Sequence, residues 1–249
     1  MTIIALLFLL PYYWMVVISL EPETLGTNPN PHFIPQNITF DNYTFLFFKV
    51  KEFYRWIFNS LFTSMMAVLL VCTSASMAGY VLARRAFPGS RAIFMIFLGS
   101  MAIPANILLL PRFILMKNLH LINTYPSIFL IIVASAGGVF LMKQIIQTIP
   151  NEMIEAAMID GANEWGIFWH IILPMIKPGI IALGIFTFVT VYNDYFWQLA
   201  VEVFADTPQN PRIQLTMAAA FIASWPLLIL FFIFYKHFLK GISIGSVKG

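Results

Sequence analysis

Long apolar runs separated by short polar stretches make up most of this chain, and within each run the apolar residues are continuous instead of alternating one by one. Six runs come close to the roughly 20 residues that a helix needs to cross a hydrocarbon core about 30 Å thick. They are Ile3–Leu20, Ile57–Leu82, Ala92–Leu110, Tyr125–Ile146, Ile176–Phe196 and Leu215–Phe238. Barrel strands would show a period of two, and lipid offers an open backbone no hydrogen-bond partner, so the pattern predicts membrane-crossing helices. The expected fold class is an all-α polytopic membrane protein of six transmembrane helices, forming a single transmembrane domain over residues 1–249.

The connections differ in character. Glu21 to about Arg55 contains Pro22, Pro29, Pro31 and Pro35 and is too broken for one helix, although Tyr43–Tyr54 is aromatic enough to lie in the membrane interface. The second run ends in a tight basic turn, Arg84 to Arg91. The third contains Pro104 and Asn106, and the connection after it carries Pro111, Arg112 and Lys117. Met1–Leu20 has neither a basic leader nor a small-x-small cleavage site before Glu21-Pro22-Glu23, so it reads as a retained first helix.

One connection stands apart. Between the fourth and fifth runs, over about 148–175, lies a charged island holding Glu152, Glu155, Asp160 and Glu164, four of the eleven acidic residues. Pro150 suits the first turn of a helix, where its missing N–H is no loss. Glu152 and Glu155 then lie near the positive end of that helix. Ala156 and Ala157 favour helix and add no bulk, so another surface can approach closely. Gly161 should stop the helix by taking a positive φ, Asn163 should cap a second short helix, and Pro174 should separate Ile171–Leu173 from the next run. The expected product is a helix, a glycine corner and a second helix at the membrane surface, stiff enough to transmit a push.

Composition narrows the function. Sixty per cent of residues are apolar, ten per cent are charged and the mean hydropathy is +0.83, whereas soluble domains carry about a quarter charged residues. A net charge of +3 is too small to suggest nucleic-acid binding. The lone Cys72 cannot form an intrachain disulfide and reads as a small buried thiol. No Gly-Lys dipeptide occurs, so the phosphate-binding loop of an ATPase is missing. His32, His120, His170 and His237 are scattered, and no metal-binding or catalytic constellation is present. Neither catalysis, a metal nor a cofactor is expected.

The spacing Glu155-Ala156-Ala157, three residues, Gly161, nine residues, Ile171-x-Leu173-Pro174 resembles the cytoplasmic coupling loop of permeases from binding-protein-dependent ABC importers. Further segments resemble the sugar branch, in particular the G-type permease of the maltose system. These are Asn59-Ser60, Tyr80-x-Leu82-Ala83-Arg84, Phe87-Pro88-Gly89-Ser90-Arg91, Ile103-Pro104, Asn193-Asp194-Tyr195 and the tail Gly241-x3-Gly245-Ser246-Val247-Lys248-Gly249. The resemblance implies the type I ABC importer permease fold in a bacterial inner membrane. It also implies a second homologous permease, two ATPase subunits and an extracytoplasmic sugar-binding protein as partners, with an oligosaccharide or polyol as cargo. Glu155, Ala156, Ala157, Asp160, Gly161, Leu173 and Pro174 would couple to the ATPase, and Gly245, Val247, Lys248 and Gly249 would touch it from the tail. Departures are a short N-terminal tail and an abbreviated segment from Gln198 to Leu215.

With the Glu-Ala-Ala loop inside, Arg84, Arg85, Arg91, Lys143, Lys177, Lys236, Lys240 and Lys248 face the cytoplasm, against Lys49, Lys51, Arg55, Arg112, Lys117 and Arg212 outside. Eight against six agrees with the positive-inside rule by a narrow margin. Intramembrane polar groups are costly and usually face a cavity or partner, which makes Asn193, Asp194 and Asn106 candidates for the translocation path, with snorkelling to water at the outer end the rival reading of Asp194. Ala75-x3-Gly79 has the small-residue spacing of close helix packing. Ser135-Ala136-Gly137-Gly138 fits either packing or flexibility in the fourth run. The alternatives are a permease for another solute, such as glycerol phosphate or a polyamine, and a secondary transporter, which would need more buried carboxylates than are present.

Overall fold

The computed structural model describes residues 2–22, 33–35, 37–85, 87–194 and 213–244. Among them there are helices and no strands. The helices are α1 (Thr2–Ser19), α2 (Asp41–Phe48), α3 (Phe53–Arg84), α4 (Ser90–Met101), α5 (Leu109–Asn118), α6 (Pro126–Phe129), α7 (Ala136–Gln147), α8 (Asn151–Ile159), α9 (Glu164–Ile167), α10 (Leu173–Met175), α11 (Lys177–Tyr192) and α12 (Ile213–Ile244). Short 3-10 turns, Ala105–Leu108 and Leu130–Ile132, precede α5 and follow α6, and a π-helical turn, Phe168–Ile172, joins α9 to α10.

All six apolar runs are helical over most of their described residues, but three of them are not single straight rods. α3 and the Ile213–Phe234 part of α12 are each long and apolar enough to span alone. The third run breaks between Met101 and Ala105 with a bend of 99°, the fourth between Ile132 and Ala136 with 46°, and the fifth at Ile176 with 74°. Pro104 is extended (ψ 131) and has no N–H for a continuing helix. The helix beyond it, α5, takes in Arg112 and Lys117, which the sequence suggests as connection. At the fourth break, Ser135 is extended and its hydroxyl accepts from the Gly138 N–H at 3.1 Å, so Ser135 starts α7 as an N-cap. The Ser74 hydroxyl donates to Val133 O at 2.7 Å across that break. A broken span survives in lipid only where such partners take over the freed backbone groups.

Contacts divide the chain into two units, residues 1–59 with 206–233, and residues 60–205 with 234–249. In the first, Leu46, Phe53 and Ala218 form a small core with Tyr43, Phe47 and Trp56 packed on it. The buried Asn42 amide donates to Ser19 O at 2.9 Å and Glu21 O at 2.8 Å, so α2 is pinned to the end of α1. In the second unit, α3 lies against α7 over a core that includes Val71, Ala75, Tyr80, Met142, Ile146 and Ile176. Ala75 is fully buried. A Cβ on Gly79 would lie 2.8 Å from Met142 Cβ and 2.9 Å from the Lys143 backbone nitrogen. The small-residue spacing is therefore a packing device. Apolar burial drives little between helices in lipid, where close van der Waals packing takes its place.

Candidate coupling site

The charged island forms the corner that its residues predict. Pro150 is extended (φ −58, ψ 138) and stands just before α8, one position earlier than a first-turn proline. Gly161 has φ +80 and would meet nothing within 4 Å if it carried a Cβ, so its requirement is backbone conformation and not space. The Ala162 N–H donates to Ala157 O at 2.9 Å and the Gly161 N–H to Met158 O at 3.0 Å. That pair of bonds satisfies the last carbonyls of α8 in the Schellman arrangement. Asn163 is extended and its Oδ1 accepts from the Gly166 N–H at 2.8 Å, capping α9.

Pro174 behaves differently from expectation. It sits in the first turn of α10, and the chain bends two residues later, at Ile176 (φ −87, ψ 3). The preceding π turn explains this, because a wider turn relieves the clash between a proline ring and the carbonyl four residues back.

The candidate coupling residues do not form one surface. Glu155, Ala156, Asp160 and Gly161 are exposed, Ala157 is half-buried, and Leu173 packs against the core while Pro174 is exposed beside it. α8 buries Ile154 alone and leaves Met153, Met158 and Ile159 in the open, Ile159 at 86% exposure. Gly245, Val247, Lys248 and Gly249 lie outside the described residues. Asn106 is exposed in the 3-10 turn after Pro104. α11 ends at Tyr192, so Asn193 and Asp194 lie just past the helix and not within it as the apolar run suggests. The Asn193 amide turns back and donates to Val189 O at 2.9 Å, and Asp194 is half-buried.

Charge and pattern do not single out what holds the island in place. The Arg84 guanidinium donates to Ile146 O at 2.5 Å, and also to Ile149 O and Asn151 Oδ1. It thereby joins the end of α7, the link and the first residue of α8, and a cation suits the negative end of a helix. Arg85 pairs with Glu164 through two nitrogens, Nε lying 3.1 Å from Oε2. The Tyr80 hydroxyl donates to the same Oε2 at 3.0 Å. Met77, Val81, Trp165 and Phe168 line an adjoining cleft of about 520 Å³. The Arg85 and Glu164 side chains are 40% and 52% exposed, so their pair contributes at most about 1 kcal/mol. Two adjacent arginines and an acid 79 residues beyond the second carry no periodic signal that would link them in advance.

Residues 75–244 match the family model described as "Binding-protein-dependent transport system inner membrane component". The chain is 33% identical to the arabinooligosaccharides transport system permease protein AraQ of Bacillus subtilis, over 99% of this chain and 92% of that one. It is 30% identical to the diacetylchitobiose uptake system permease protein NgcG of Streptomyces coelicolor, over 81% of this chain and 67% of that one. With the lactose transport system permease protein LacG of Rhizobium radiobacter it shares 27% identity, over 100% and 94%. Its fold matches a chain from the crystal structure of a bacterial ABC transporter involved in the import of the acidic polysaccharide alginate. The TM-score is 0.81 at 21% identity, covering 95% of this chain and 93% of that one. An all-helical membrane fold, matched over nearly its full length by permeases, leaves one conclusion: the chain belongs to the family of binding-protein-dependent transport system inner membrane components, and is a transport permease and not an enzyme.

Proposed function

We propose that this permease translocates a carbohydrate, an oligosaccharide or a polyol, across a bacterial inner membrane. It pairs with a second, homologous permease, takes cargo from an extracytoplasmic sugar-binding protein and is driven by two ATPase subunits. The cargo class is supported by the sugars in the names of its relatives: arabinooligosaccharides, diacetylchitobiose and lactose. The observation that carries the mechanism is α8. It is a short helix, closed at a glycine corner, whose Glu155, Ala156, Met158 and Ile159 are left exposed by the described residues. ATP closure of the ATPase pair would press on this face, and a capped, stiff corner would pass the displacement to the spanning helices.

The test is reconstitution of the permease pair with its ATPase and binding proteins in vesicles. Uptake of labelled arabinotriose, chitobiose, lactose and sorbitol is then compared with that of a polyamine and glycerol phosphate. ATP-dependent uptake of one of the four carbohydrates is expected. Uptake confined to the polyamine or to glycerol phosphate overturns the cargo assignment, and a permease that fails to bind any ATPase overturns the coupling reading.

A further inference from the structure

We propose that Arg84 and Arg85 are positioning residues that fasten the two ends of the coupling loop to α3, so that a displacement of α8 is carried into that helix. This rests on the reading of α8 as the ATPase-coupled element. α8 has little grip of its own, with Ile154 its one buried residue. Its entry is held by Arg84, whose guanidinium reaches Ile146 O, Ile149 O and Asn151 Oδ1 together. Its exit is held at Glu164, the first residue of α9, by both Arg85 and the Tyr80 hydroxyl.

Tyr80 and Arg84 belong to α3, and the Arg85 N–H continues the helical pattern by donating to Val81 O at 2.9 Å. Thus three residues within about one and a half turns hold the loop on both sides of Gly161. α3 is a continuous 32-residue helix without an internal proline, so it transmits displacement along its axis better than the bent spans do. The planar fork of arginine satisfies several acceptors at fixed angles, which a lysine ammonium cannot reproduce. The Arg85–Glu164 pair is half exposed, so its charge reversal costs little folding stability, and its effect falls on geometry.

The experiment uses the assembled importer in vesicles, with Arg85→Glu, Glu164→Arg and the two combined. The readout is the ratio of ATP hydrolysis with binding protein to hydrolysis without it. Each single reversal should keep the ATPase bound and lower that ratio by about fivefold or more, the lower end of ordinary coupling between sites. The combined exchange, which restores the ion pair in reverse, should bring the ratio back to within about twofold of the original. Arg84→Lys should lower the ratio while leaving the ATPase attached.

Single reversals with an unchanged ratio overturn the proposal, as does a combined exchange that fails to recover. Should a single reversal not assemble, recovery in the combined variant still decides in favour and its absence against. An unchanged ratio in Arg84→Lys overturns the entry clamp. A separate arm cross-links Ala156→Cys to the ATPase. Absence of that cross-link overturns the coupling reading itself, whereas a cross-link with no rescue overturns the arginine clamp alone.

Discussion

Gly79 and Gly161 show one residue type required for two unrelated reasons. A Cβ at Gly79 would intrude on Met142 and the Lys143 backbone, while one at Gly161 would meet open space but must accept φ +80. Gly79→Leu is therefore expected to cost about 1–3 kcal/mol or more through overpacking between α3 and α7. A lower unfolding temperature of the purified protein in detergent would register it, and an unchanged one would refute the close approach. Gly161→Val strains the backbone by about 1–2 kcal/mol, but only at a surface corner. The protein should insert normally while ATPase docking, or the dependence of hydrolysis on transport, is impaired. Glu155→Lys should act in the same direction by reversing the charge that the exposed face of α8 offers to a partner. If both variants assemble and transport at the original rate, α8 is not the coupling element.

Among the elements, the end of α11 is the least predictable from pattern alone. An apolar run from Ile176 to Phe196 suggests a span carrying Asn193 and Asp194 inside it, yet the helix closes at Tyr192 and both residues sit at its edge. As path residues they would meet cargo at the outer mouth, where side-chain amides and carboxylates suit sugar hydroxyls. Asp194→Asn keeps the shape and removes the charge. It should change uptake in vesicles without altering basal ATP hydrolysis, and Asp194→Leu should reduce uptake further. Normal uptake in both would make Asp194 an interfacial anchor and nothing more. Loss of the α9 cap through Asn163→Ala should cost about 0.5–2 kcal/mol locally. Faster amide exchange at Gly166 is the expected sign, with an unchanged rate counting against the cap.

For the whole molecule, family and composition agree that the energy source lies elsewhere. The chain contains no Gly-Lys dipeptide and hence no phosphate-binding loop. Purified alone, it should neither bind nor hydrolyse ATP, and stoichiometric nucleotide binding would contradict the division of labour proposed above. Orientation is testable in intact cells. A cysteine at Asn163 should react only with reagents that reach the cytoplasm and one at Asn30 only from outside; the opposite labelling would invert the topology.

The local physics of the chain was enough to predict what depends on near neighbours. Six apolar runs imply spanning helices because lipid tolerates no unpaired backbone. The Gly161 corner and the Asn163 cap follow from the conformations those side chains permit within a few residues, and both are present. Tertiary contacts decided the rest. Bends interrupt three of the runs, near Pro104, Ser135 and Ile176, and at the middle one Ser74, from another helix, takes up the Val133 carbonyl. Leu173 turns into the core while Glu155 stays outside, a distinction that spacing does not carry. Arg84 and Arg85 read as charges that set orientation until folding brings Ile146, Ile149, Asn151 and Glu164 to them. Periodicity records which face a residue occupies within its own helix, and only three-dimensional packing decides which distant group it meets there.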